Sequence, residues 1–304
     1  MNILITGGTG LIGRALCKAL LAEGHQLTVL SRQPATVPEL CGKAVHAMAS
    51  LDEWTLTQHF DAVINLAGAP IADAAWTVKR KQLLRDSRVG LTEKLLQRMT
   101  AAAHKPAVLL SGSAVGYYGN RPDVGLDEQS EAGEDFAARL CADWEAAALL
   151  AEGLGVRVCL LRTGLVLSRQ GGLLGRMLLP FKLAMGARLG DGRQGMSWVH
   201  IEDYVAMVLR LLHDVQLHGA FNMTAPYPVS NAEFTRQLAH AVGRPAMFVA
   251  PRSVLKWALG ERAVLLLEGQ CVLPVRMQAA GFRFRYPDLS GALTAVLDQK
   301  LLTS

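Results

Sequence analysis

Three glycines at three-residue spacing, Gly7, Gly10 and Gly13, carry the chain from an apolar run, Ile3-Leu4-Ile5, into a segment of helical periodicity. Few folds accommodate that junction. The first glycine permits a tight turn out of a strand, the second lets backbone approach phosphate oxygens, and the third lets the helix lie close on the sheet. The helix N-terminus adds unpaired N–H groups and a positive dipole end, so the turn is a seat for a dinucleotide pyrophosphate. The candidate contacts are Gly7, Thr9, Gly10, Leu11, Ile12 and Gly13. The spacing departs from G-x-G-x-x-G, and a glycine-rich turn of some other α/β protein is the competing reading.

A complete β-α-β unit surrounds the turn. Ala15, Leu16, Ala19 and Leu20 recur at helical spacing, Gly24 is placed to end the helix, and Gln26-Leu27-Thr28-Val29-Leu30 reads as the second strand. An acidic residue at that strand's end would hold the ribose of NAD, whereas an arginine accommodates the 2′-phosphate of NADP. Ser31-Arg32 stands there, and no Asp or Glu follows Leu30 until Glu39. NADP is therefore expected ahead of NAD, a solvated Arg32 being the alternative.

Further strands are expected at 62–66, 107–111 and 156–161, and helices at Lys79 to Met99, Asp135 to Glu152, Leu173 to Met185 and Ile201 to His213. This alternation predicts an α/β fold, a Rossmann-like doubly wound parallel sheet, with a smaller, mostly C-terminal substrate-facing region. The expected division is 1–168 for dinucleotide binding and 169–304 for substrate, with about 196–224 returning to the first part.

The 304 residues carry a formal charge of +5 with no Lys- or Arg-rich run, which fits a small polyanion better than a nucleic-acid duplex. Five widely spaced cysteines suggest neither a disulfide framework nor a zinc site. With no leader-like start and no apolar stretch long enough for a bilayer, a cytoplasmic protein without membrane contact is expected. No H-E-x-x-H, P-loop or G-x-S-x-G pattern is present.

Ligands on open α/β sheets bind beyond the carboxyl ends of strands. Three strand-terminal segments stand out: Asn65-Leu66-Ala67-Gly68, the run from Ser111 to Gly119, and Leu161-Arg162-Thr163-Gly164. With the glycine turn, Trp198-Val199-His200-Ile201-Glu202-Asp203 and the late run from Gly281 to Pro287, they resemble the extended short-chain dehydrogenase/reductases. Nearly the whole chain is similar to their atypical "epimerase family" branch, which has no settled substrate. The resemblance implies that Asn65, Leu66, Ala67 and Gly68 pass beneath the cofactor and that Ser113 takes the active-site serine position. It also implies a Tyr followed four positions later by Lys, whose charge would lower the phenol pKa. This chain has no such pair. The alignment places Leu140 or Cys141 near the usual Tyr, and Trp144 or Glu145 near the usual Lys.

Candidate substitutes are the phenols of Tyr117 and Tyr118, against a packing role, and the carboxylates of Asp143 and Glu145, against solvated helix charges. Arg162 is a candidate anion clamp or a structural ion-pair partner. Arg193, in the glycine-rich stretch 186–196, is a candidate substrate contact in a mobile loop or a surface hairpin. His200 either titrates near neutrality at the site or is a structural histidine. Two functions remain open: an NADP-binding oxidoreductase or epimerase acting on a small, anionic or nucleotide-linked carbonyl or hydroxyl compound, and a non-catalytic NADP(H) sensor. The helix at Lys79 to Met99 is a candidate homodimer surface by family analogy.

Overall fold

The structure, a computed structural model, describes residues 1–298; residues 299–304, the end of the expected C-terminal region, lie outside it. Seven strands form the central sheet: β1 (Asn2–Thr6), β2 (Gln26–Leu30), β3 (His46–Met48), β4 (Ala62–Asn65), β5 (Val108–Ala114), β6 (Arg157–Thr163) and β7 (Gly219–Met223). Their order is β7-β6-β5-β4-β1-β2-β3, and every pairing is parallel. This is the expected Rossmann-like α/β architecture.

Both faces of the sheet are covered, which is why its strands read as nearly unbroken apolar runs. On one face Ile3 and Ile5 pack with Leu16, Cys17 and Leu20 of α1 (Leu11–Ala22), and with a later helix through Tyr204, Met207, Val208 and Leu211. On the other, Leu4, Val63 and Leu109 pack with Leu95, Leu96, Met99 and Ala148. After β4 come α2 (Val78–Arg85) and α3 (Leu91–Ala101), joined by the π turn Asp86–Gly90, and then α4 (Phe136–Leu149). Asp135, expected as the first residue of α4, is its cap: the carboxylate accepts the Ala138 N–H at 2.9 Å. After α5 (Gly172–Lys182) comes α6 (Ile201–His213), the later helix on the α1 face, with the bounds its periodicity predicts.

Strand β5 runs three residues beyond the expected end and so carries Ser113 into the sheet, opposite Arg162 of β6. Outside the sheet, four short pairings join distant segments: 165–167 with 198–200, 187–189 with 248–250, 195–196 with 229–230, and 121–126 with 270–272. A separate core of Leu174, Leu178, Phe181, Trp198, Phe234 and Leu238 lies beneath them.

A side chain at Gly13 would meet the Gly7 carbonyl oxygen and lie 2.6 Å from Gly8 Cα, so strand and helix backbones approach here as only glycine allows. Helix propensity favours alanine over glycine by about 1 kcal/mol. Gly13→Ala is nonetheless expected to destabilise the fold by about 1–3 kcal/mol, seen as a lower urea midpoint. An unchanged or higher midpoint would contradict the close approach.

Candidate functional site

The glycine turn is shaped by the exit of β4. Gly7 has φ +72°, and a Cβ there would lie 2.8 Å from the carbonyl carbon of Leu66. The Gly7 carbonyl accepts the Gly10 N–H at 3.0 Å. Gly10 then opens α1 with no side-chain cap and no acidic residue in the first turn, which leaves that positive end clear for an anion. Thr9, Leu11 and Ile12 are neither fully buried nor fully exposed. Leu11 is approached from the C-terminal region by Gly171 and Gly172, whose Cβ positions fall 3.7 and 3.3 Å from its methyl carbons.

Asn65 turns inward. Its carboxamide accepts the Thr6 hydroxyl at 2.7 Å and donates to Thr92 at 2.8 Å, tying β1, β4 and α3 together. The following Leu66 and Ala67 are partly exposed and Gly68 is exposed beside the Arg88 guanidinium. At the end of β2, Ser31 Oγ accepts the Gln33 N–H at 3.1 Å and Arg32 is exposed. Sequence reasoning passed over Arg14, in the first turns of α1, whose Nε is buried without a hydrogen-bond partner and whose charge acts on Cys41.

At the carboxyl ends of β5 and β6 lies a buried polar cluster. Arg162 and Glu145 are 4% and 5% exposed, too little for either charge to exist without the other. Arg162 donates to Glu145 twice, Nε to Oε1 and Nη2 to Oε2, both at 2.9 Å. Its Nη1 donates to the Tyr118 hydroxyl at 2.9 Å and to the Glu128 carbonyl at 3.1 Å. Burial opposes the guanidinium's charge, yet the bonds and attraction from Glu145 and Tyr118 raise its pKa overall. Ser113 Oγ donates to Glu145 Oε1 at 2.6 Å. Because an ionised carboxylate only accepts, the serine proton points inward and its lone pairs are left for another donor.

This arrangement fixes the register of α4. Glu145 faces Ser113, and Cys141 lies on the same side, its thiol pushed up to about 12 by burial and by Glu145. Trp144 turns away, donating its indole N–H to Thr92 at 3.1 Å. Asp143 is exposed and paired with Arg85, outside the cluster. Tyr118 is fully buried; it donates to Asn222 Oδ1 at 2.7 Å, and burial pushes its phenol up to about 12, so it stays neutral. The partly exposed Tyr117 lays its ring over Arg162 at 3.6 Å.

His200 and Arg193 stand apart from this cluster's bonds. His200 is 0% exposed, caps α6 by accepting the Glu202 N–H on Nδ1 at 3.2 Å, and lies against Tyr286. Burial lowers its pKa to about 4, which argues against titration near neutrality and fits the structural alternative. Arg193 is exposed on a turn whose backbone is pinned to Leu189, Asn231 and Ala232, so the loop is held rather than free.

Residues 3–224 match the NAD dependent epimerase/dehydratase family. The chain belongs to that family. Residues 250–296 match a domain of unknown function, DUF1731. Epimerase family protein ML0860 of Mycobacterium leprae is 42% identical over 96% of this chain and 94% of its own length. The crystal structure of human epimerase family protein SDR39U1 (isoform 2) with NADPH has a TM-score of 0.90 at 35% identity, covering 98% of this chain and 100% of that one. UDP-glucuronic acid 4-epimerase of Bacillus cereus shares the fold, with a TM-score of 0.79 at 17% identity over 98% of both chains. The epimerase-family resemblance drawn from the sequence therefore holds. Among the described residues no helix is long and apolar enough to cross a membrane.

Two outcomes follow from the buried charges. Glu145→Gln leaves Arg162 buried without a counter-charge and is expected to cost about 3–5 kcal/mol, whereas Glu145→Leu with Arg162→Met costs less than the sum of the single changes. Additive losses in a double-mutant cycle would refute the coupling. For His200, the folded pKa lies below the unfolded value, so its contribution is complete above about pH 6.5 and lost as pH falls through about 4. Wild type is expected to lose on the order of 3 kcal/mol across that window beyond any loss in His200→Asn, measured by urea unfolding; parallel profiles would contradict it.

Proposed function

We propose that this epimerase-family chain binds NADP(H) and acts as an oxidoreductase or epimerase on a small hydroxyl or carbonyl compound, anionic or nucleotide-linked. The observation that carries this reading is Ser113, at a strand end of the sheet that bears the uncapped glycine turn, with its proton committed to Glu145. The residues suit the cofactor. Side chains at Gly7 and Gly13 would fill the turn, α1 opens without a carboxylate, and Arg32 and Arg14 offer guanidinium groups for a 2′-phosphate. The NADPH in the human relative supports the same assignment. When bound, the nicotinamide is the two-electron carrier.

The chain's own residues then orient the substrate oxygen. Ser113 Oγ, its own proton held by Glu145, accepts a hydrogen bond from a substrate hydroxyl and orients it, while the Glu145–Arg162 pair stays ionised. Arg162 keeps Glu145 in place throughout, and Tyr117 covers the guanidinium face. One observation favours the sensor reading instead: four of the five Arg162 N–H groups have internal acceptors, and Tyr118 is both neutral and internally bonded.

Arg32→Ala is expected to weaken NADPH about tenfold with little change for NADH, by fluorescence titration; equal losses for both would remove the 2′-phosphate assignment. Wild type should interconvert or oxidise some member of a panel of small alcohols, aldehydes and nucleotide sugars, followed by nicotinamide absorbance and by NMR of the sugars. On that substrate Ser113→Ala should lower turnover about a hundredfold or more with NADPH affinity unchanged. Tight NADPH binding without any turnover would replace the enzyme reading by the sensor.

A further inference from the structure

At the end of the sheet opposite the glycine turn, Glu23 closes α1, His25 follows the left-handed Gly24 (φ +78°), and His213 is the last residue of α6. Their side chains converge on one point. Glu23 Oε2 lies 3.1 Å from His25 Nε2 and 2.9 Å from His213 Nε2, and the three donor atoms all lie within 4.8 Å of one another. We propose that Glu23, His25 and His213 bind a divalent transition-metal cation, with zinc the best match, which staples the end of α1 to the end of α6.

Two imidazoles and a carboxylate are a zinc donor set, with a fourth position left for water. Bonds of about 2.0–2.1 Å in a tetrahedral site set the ligand atoms roughly 3.4 Å apart, so from the Glu23 oxygen the His25 and His213 nitrogens retreat by only about 0.3 and about 0.5 Å. The side chains have room to do so: Glu23 and His213 are 36% and 47% exposed, while His25 is held at 11%. The backbones that present them are already fixed, because Leu16 and Leu20 of α1 share a core with Leu211 and Leu212 of α6. Two helix C-termini meet here, and their negative dipole ends favour a cation independently of the side chains. In the metal-bound form each imidazole carries its proton on Nδ1 and gives its Nε2 lone pair to the ion. Without metal, His25 Nδ1 accepts from the Met1 amino group at 3.3 Å, a bond that the metal-bound tautomer exchanges for the ion. The site lies at the far end of α1 from the glycine turn, so its occupancy is separable from cofactor binding.

The test is calorimetric titration of zinc chloride into the chelator-treated full chain, with cobalt(II) absorption of the same protein as a second readout. One saturable site is expected, with the visible absorption of four-coordinate cobalt. His213→Ala and Glu23→Gln should each weaken zinc at least about tenfold, abolish the cobalt bands and leave NADPH affinity unchanged. Zinc should raise the melting temperature of wild type and not of the variants. Absence of a saturable site in wild type overturns the proposal, as does equal binding by the variants, which would place the ion elsewhere.

Discussion

A buried carboxylate and a buried guanidinium are each prohibitively costly alone, and the Glu145–Arg162 pair is the constraint around which the carboxyl end of this sheet is assembled. Glu145 belongs to α4 and Arg162 to β6, so satisfying both charges fixes how the helix lies on the sheet. The remaining donors of the guanidinium then reach the Tyr118 hydroxyl and the Glu128 carbonyl, and Tyr118 reaches Asn222 of β7. The Glu128 side chain continues the chain of contacts by accepting the Asn222 and Arg276 N–H groups at 3.1 and 3.2 Å. One ion pair thus organises the ends of β5, β6 and β7 and the segment that crosses them. Ser113 inherits its orientation from this frame.

Much of the frame could be read from residues alone. The Gly7 to Gly13 turn announced both its neighbours in space, because close backbone approach is what glycine uniquely permits. The alternating apolar segments gave the parallel sheet and the α6 bounds. Less visible were β3, only three residues long, and β7, Gly-Ala-Phe-Asn-Met, which lacks β-branched residues. The extension of β5 through Gly112 and Ser113 was hidden for the same reason. A polar, glycine-containing run carries no strand periodicity, and it is paired here only because β6 lies alongside.

The cluster itself was legible in its members but not in its bonds. Glu145 sits among alanines on a helix where a charge is ordinarily solvated, and its partner is 17 residues away on a strand. Nothing in spacing joins them. His200 could be read two ways: a histidine at a strand end invites a role near neutral pH, and burial with the capping bond from the Glu202 N–H decides for the uncharged structural alternative. Arg14 was passed over because a basic residue early in a helix gives no sign that its Nε will be enclosed.

The four short pairings outside the sheet have a consequence for how the chain is made. Residues 121–126 find their partner only at 270–272, and 187–189 only at 248–250. A ribosome that has delivered the first six strands has therefore released a strand edge near Arg121 whose complement is still about 110 residues from synthesis. During that interval the polar Arg121-Pro122-Asp123 start, with a proline that removes one donor, guards the waiting edge against pairing with another nascent chain. The edge is closed by a segment about 150 residues further along the chain, so this end of the molecule is completed well after its first strand is made.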